Sequence, residues 1–240
     1  MVNQAIFYSF LAGLCTMIGP ILSLLVPLSR QAISFAFGVS SGIMLLVSYA
    51  TLLPTAVQYG DFYHVGIGMG LAVLTMILFR QLPFGHFHAI SPESAYQRLG
   101  IYLIMAIIVH NIPEGIAIGV GFESEHHAGM LLVLALAIHN IPEGMAMSLP
   151  LLKEGYRPLQ IISLSLLCGM ALPLGTWMGI NWLSNNIDIT ATSLVFAATV
   201  MIWIVVCEVF PHAFYLGRKF SVYGLLAGGI FMYIVHQFHR

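Results

Sequence analysis

The sequence predicts an all-α polytopic membrane protein: eight transmembrane helices in a bundle, with both termini outside the cytoplasm. Three observations carry this. Of 240 residues, 59% are hydrophobic and only 7% charged, with a mean hydropathy of +0.94, whereas a soluble domain averages about 25% charged residues. Charges and turn residues cut the chain into eight apolar runs, each close to the roughly 20 residues that a helix needs to cross hydrocarbon. The basic residues also sort to one side of the spans those runs define.

In chain order the spans are expected at roughly 4–28, 31–53, 62–79, 100–122, 128–152, 158–182, 190–215 and 220–238. The first run lacks a basic flank and a small-residue cleavage site, so it is expected to be a span rather than a removed signal peptide. Short polar breaks such as Ser29-Arg30 and Gly217-Arg218-Lys219 separate most runs. The longest connection is expected from Arg80 to Leu99 and holds Pro83, Gly85 and Pro92. No soluble domain fits beside the spans, so residues 1–240 are expected to form a single transmembrane transporter domain.

Orientation follows from the cytoplasmic excess of Lys and Arg in membrane proteins. Arg30, Arg80, Arg98, Lys153, Arg157, Arg218 and Lys219 all fall in odd-numbered connections, and only Arg240 joins the other side. Asp61, Glu123, Glu125 and Asp188 lie in the outer connections. The net charge of −1 excludes a nucleic-acid partner, which needs a basic surface. Cys15, Cys168 and Cys207 stand singly in apolar runs, without disulfide or zinc-finger spacing, as small buried hydrophobes do. Glycines four apart recur in five spans (Gly38 and Gly42, Gly66 and Gly70, Gly115 and Gly119, Gly175 and Gly179, Gly224 and Gly228), a spacing that lets membrane helices approach closely.

Chemistry concentrates in a repeated hexapeptide, His110-Asn111-Ile112-Pro113-Glu114-Gly115 in span four and His139-Asn140-Ile141-Pro142-Glu143-Gly144 in span five. His and Glu at i and i+4 share one helix face. Ionisable groups at that depth cost several kcal/mol unless they meet a cavity, a partner or an ion. The two spans are antiparallel, and both histidines are expected near mid-membrane. Two carboxylates, two neutral imidazoles and one divalent cation sum to zero charge, which makes their burial tolerable. Pro113 and Pro142 are expected to free the carbonyls of Val109 and Ile138 beside the histidines.

Paired HNIPEG hexapeptides on consecutive spans of an eight-span chain resemble the ZIP (Zrt/Irt-like) family of divalent-metal transporters, as a bacterial-type short member. The resemblance extends to the stretch from Phe35 to Met44 in span two, Gly169 to Gly175 in span six, and Glu208 to Pro211 in span seven. It implies transport of zinc foremost, with Fe²⁺, Mn²⁺ or Cd²⁺ in some members, through a site between spans four and five. It also implies that spans one to three and six to eight are inverted repeats. The divalent metal is substrate, and no catalytic cofactor is expected. Movement into the cytoplasm and a place in the plasma (inner) membrane follow from the same resemblance, with the lipid bilayer and a homodimer as the other expected partners.

The chain departs from that pattern at two positions. Members with a two-metal site usually carry an acidic residue where this chain has Asn140, and a glutamate where it has Leu172. Both changes remove negative charge, while two divalent ions about 4 Å apart repel by roughly 16 kcal/mol at an effective dielectric of 20. One strong site of His110, Glu114, His139 and Glu143 is therefore expected, with Asn111 and Asn140 as weak or supporting ligands. Met44 is either a thioether ligand or packing. Glu208 is a pathway or packing residue, and His212 stands where relatives often have an exit carboxylate. His86 and His88 are either a reduced histidine-rich metal loop or surface residues. An intramembrane zinc-dependent hydrolase is the alternative reading, but it needs activated water and a general base, and HNIPEG is not HExxH. A haem carrier would leave the glutamates unused.

The orientation is checked by cysteines introduced at Gly60, Ser184 and Ser91. The first two should react with an impermeant thiol reagent added outside and the third should not; the reverse pattern overturns the assignment.

Overall fold

The computed structural model describes residues 2–25, 29–81, 93–124, 126–183 and 187–237. Among the described residues, eight helical runs are long and apolar enough to cross a membrane. They are α1 (Val2–Leu25), α2 (Arg30–Gln58), α3 (Phe62–Gln81), α4 (Glu93–Ser124), α5 (His126–Lys153), α6 (Pro158–Trp182), α7 (Asp188–Leu216) and α8 (Arg218–Gln237). Helices alone satisfy every backbone N–H and C=O within one segment, which hydrocarbon demands.

The helix ends follow local rules. Ser29 caps α2, its hydroxyl oxygen accepting the N–H of Ala32 at 3.1 Å. Gly155, at φ 77°, takes the left-handed conformation that closes the tight connection between α5 and α6. Pro158 then opens α6, where its missing N–H costs nothing. The backbone N–H of Gln97 donates to Glu154 at 3.2 Å, tying α4 to that connection.

Two boundaries differ from the sequence expectation. α2 continues past 53 to Gln58, and α4 begins at Glu93, before the expected 100. In α2 the reason is a π turn, Ser48–Leu52, immediately before Pro54. The N–H of Leu53 reaches back to the carbonyl of Ser48, so the backbone widens where the proline ring would strike the preceding turn, and the helix carries on. α7 repeats the device, with a π turn at Val205–Val209 before Pro211. In α4, helical backbone simply outlasts the apolar stretch, placing Arg98 inside the helix.

Small residues set the packing. A Cβ on Gly13 of α1 would strike the carbonyl of Gly169 on α6, and the converse holds. Gly19 and Gly144 bring α1 against α5 in the same way, and Gly115 and Gly175 bring α4 against α6. α1 and α6, in contact with each other, therefore pack side by side on the α4–α5 pair, α1 against α5 and α6 against α4. On the other side of the molecule Gly38, Gly42, Gly224 and Gly228 seat α2 on α8. Gly66 and Gly70 of α3 meet nothing within 4 Å, so that pair does not mediate the expected close approach. α4 is central: 78% of its most apolar stretch is buried, against 17% for α3. A large apolar core of α2, α3 and α7 residues, including Met44, Leu52, Met76, Leu194 and Met201, joins Ala106, Ala117 and Met145 of α4 and α5.

Gly13→Leu should therefore block the α1–α6 crossing and destabilise the protein by about 3 kcal/mol or more. Gly66→Ala and Gly70→Ala should stay within about 0.5 kcal/mol. Thermal unfolding in detergent, followed by size-exclusion chromatography, compares them, and equal stability of all three variants contradicts the packing.

Candidate metal centre

α4 and α5 run antiparallel and present their hexapeptides to each other at the middle of the bundle. The imidazole rings of His110 and His139 stand 6.4 Å apart, centroid to centroid. Because the helices run in opposite directions, the glutamate one turn after each histidine faces the other helix's histidine. Nε2 of His110 lies 2.6 Å from Oε1 of Glu143. Nε2 of His139 lies 3.8 Å from Oε1 of Glu114. His110, Glu114 and His139 are wholly buried, and Glu143 is 5% exposed.

These groups are poorly satisfied by the protein alone. Both oxygens of Glu114 and both ring nitrogens of His139 lack hydrogen-bond partners. The contact of His110 with Glu143 is at ion-pair distance but lacks the alignment of a hydrogen bond, and Oε2 of Glu143 is unpartnered. Buried polar groups in folded proteins are nearly always hydrogen-bonded, so this many unpartnered atoms around one point make it the candidate site for a bound ion. His110, Glu114 and His139 each offer a ligand atom, and these atoms all lie within 4.8 Å of one another. Glu143 joins the group through its contact with His110. Nδ1 of His110 lies 2.9 Å from the carbonyl of Ala106. With Nδ1 carrying the proton, Nε2 is left as the coordinating nitrogen. Two imidazoles and two carboxylates suit Zn²⁺ and related divalent ions.

The two asparagines hold the outer flanks of the site. Nδ2 of Asn111 donates to the carbonyl of Cys168 on α6 at 3.0 Å, and Nδ2 of Asn140 donates to that of Ala12 on α1, also at 3.0 Å. Only the amide NH₂ can donate to a carbonyl, so each asparagine is anchored by nitrogen. Each keeps a buried Oδ1 without a partner. Leu172 is fully buried in apolar packing with Ala12, Ile118 and Leu136.

The remaining candidates are not among the four clustered side chains. Met44 is buried, its sulfur accepting from the Ser40 hydroxyl at 3.7 Å. It lines a small cavity with Glu143, Ala106 and Ala146. Glu208 and His212 line a neighbouring cavity with Phe37 and Lys153. Leu103, Ala146 and Val209 border both cavities, so the two follow one another from Glu143 towards the end of α5. His86 and His88 lie outside the described residues.

Two features escaped the sequence reading. Lys153, an orientation signal in the sequence, also lines the Glu208–His212 cavity. On the opposite side, His64 at the start of α3 bridges two carboxylates, with Nδ1 2.8 Å from Asp61 and Nε2 3.4 Å from Asp188. The backbone N–H of His64 is the main group holding the Asp61 carboxyl below its usual range. A cavity of about 370 Å³ opens beside His64 and Asp188 and reaches Pro113 of the first hexapeptide. The acidic character of these connections was visible in the sequence, but the pairing of His64 with residues on two elements was not.

Comparison with known proteins gives the family. The family model described as ZIP Zinc transporter matches residues 86–236. A zinc transporter ZupT of Chlorobium luteolum is 32% identical over 250 residues, covering 94% of each chain. That of Chlorobium limicola is 33% identical, with 93% of each chain covered. That of Corynebacterium glutamicum is 32% identical, over 90% of this chain and 92% of its own. A match of that length and breadth places the hexapeptides and the helices around them in a single lineage: the chain belongs to the ZIP zinc transporter family.

Proposed function

We propose that this multi-pass membrane protein carries divalent metal cations across the bilayer, zinc foremost, with Fe²⁺, Mn²⁺ and Cd²⁺ as further substrates. The observation that carries the proposal is the fully buried, unsatisfied group of His110, Glu114 and His139 with Glu143 against it. A divalent cation there is met by two imidazole nitrogens and two carboxylates, and the assembly is electrically neutral. Asn111 and Asn140 support it through their free Oδ1 atoms.

The path has two sides. The cavity beside His64 and Asp188 reaches Pro113 and serves as the outer mouth, where exposed carboxylates raise the local cation concentration. The cavities at Met44 and Glu143, then at Glu208, His212 and Lys153, continue towards the basic end of α5 and serve as the way into the cytoplasm. Both termini then lie outside the cytoplasm, in the plasma membrane. One chain contains all the ligands, so a homodimer would hold two separate sites. The reading as an intramembrane hydrolase has no support, since the relatives above are transporters by name. The chain acts as a transporter rather than an enzyme, without a catalytic cofactor.

Uptake of Zn²⁺ into proteoliposomes tests the site. His110→Ala, and the double variant Glu114→Gln with Glu143→Gln, should each lower flux at least about tenfold while yielding folded protein. Wild-type flux from the double variant ends the proposal.

Ion number is a separate expectation. With Asn140 and Leu172 replacing carboxylates, metal analysis of the purified protein should find one tightly held zinc per chain after His86 and His88 are replaced. Two tightly held ions would show that neutral oxygens compensate for the missing charge.

A further inference from the structure

Thr16 of α1 is fully buried, and its Oγ1 has no hydrogen-bond partner. A threonine inside a membrane helix ordinarily donates to the carbonyl four residues back. Thr55, Thr75, Thr176, Thr192 and Thr199 all do so here. The carbonyl that Thr16 would use belongs to Ala12, and it instead accepts the amide of Asn140 at 3.0 Å. Asn140 has thus taken the local acceptor of Thr16, and the hydroxyl is left over.

Its backbone neighbour belongs to the second hexapeptide. The backbone of Thr16 packs against Gly144, next to Glu143, so closely that a Cβ on the glycine would overlap the Thr16 carbonyl. The same contact recurs across the pair of hexapeptides, where Leu172 of α6 packs on Gly115, next to Glu114. Ala12 corresponds in the same way to Cys168, since each carbonyl anchors one of the two asparagines. Gly13 corresponds to Gly169, and the two are in mutual contact. By this internal correspondence Thr16 is the counterpart of Leu172. At these corresponding positions α1 carries a hydroxyl and α6 an isobutyl group.

We propose that Thr16 is a specificity-determining residue of the core site: its hydroxyl, with Oδ1 of Asn140, gives the cation or its retained water a neutral oxygen flank on the α1–α5 side. The inference rests on the His/Glu cluster being the transport site. Zn²⁺ is satisfied by four ligands of the His and Glu kind. Mn²⁺ favours oxygen donors and octahedral surroundings. The extra oxygens therefore matter for Mn²⁺ and hardly for Zn²⁺. On the α4–α6 side Leu172 supplies no such donor.

The test is Mn²⁺ competition against Zn²⁺ uptake in proteoliposomes, with wild type, Thr16→Val and Thr16→Ser. Thr16→Val is nearly isosteric and should weaken Mn²⁺ competition about fivefold or more, leaving Zn²⁺ KM within about twofold. Thr16→Ser keeps the oxygen and should behave as wild type. Thr16→Ala removes the same oxygen without added bulk, and replaces the valine variant if that one does not fold. An unchanged Mn²⁺-to-Zn²⁺ ratio in the variant lacking the hydroxyl overturns the inference. So does an equal loss of both ions, or a wild type in which Mn²⁺ does not compete at all. Glu114→Gln measured alongside separates the two claims. If it leaves Zn²⁺ uptake intact, the site itself is wrong; if it abolishes uptake and the ratio is unmoved, only the role of Thr16 fails.

Discussion

Two histidines and two glutamates buried at the centre of a helical bundle set the terms for the rest of this protein. A carboxylate in hydrocarbon is tolerable only when its charge is matched. Here the matching groups come from the opposite helix. The antiparallel course of α4 and α5 sets His110 against Glu143 and His139 against Glu114. Parallel helices would instead stack histidine on histidine and glutamate on glutamate. The crossed arrangement keeps the two carboxylates apart and sets each beside an imidazole of the opposite helix. Even so, both oxygens of Glu114 and both ring nitrogens of His139 have no hydrogen-bond partner, a demand that a divalent cation would meet under the proposed function.

The helices around the site translate that demand into geometry. α1 and α6 approach α4 and α5 at glycine-lined crossings, near enough for Asn111 and Asn140 to reach carbonyls on α6 and α1. Those two bonds fix each asparagine by its nitrogen and leave the oxygen free. Larger residues at Gly13, Gly144 or Gly175 would push the helices apart and release the asparagines. Tight packing here positions the proposed ligands as well as stabilising the bundle. α2 and α7, by contrast, turn serine, methionine and aliphatic side chains towards the centre, and the cavities beside Glu143 and Pro113 lie along them.

Much of this was legible in the residues. Hydropathy and the sorting of Lys and Arg were enough to place eight spans, since both reflect the cost of charge in hydrocarbon. The repeated hexapeptide was enough to bring His110 and His139 together, because i and i+4 positions share a face. What stayed hidden depended on partners distant in the chain. Nothing local says that Asn140 bonds Ala12, or that this leaves the hydroxyl of Thr16 without its usual acceptor. The π turn that carries α2 past Pro54 was hidden too, because proline is as often a terminus as a kink. Gly66 and Gly70 have the spacing of a packing motif but face no helix; spacing reports which residues share a face, and not what that face meets.

The most direct measurement is anomalous diffraction at the zinc edge from crystals grown with Zn²⁺. The account places one peak between α4 and α5, roughly 2.0–2.2 Å from nitrogens of His110 and His139 and from oxygens of Glu114 and Glu143. A site in which His110 and Glu143 stay paired with each other while zinc binds elsewhere would contradict it.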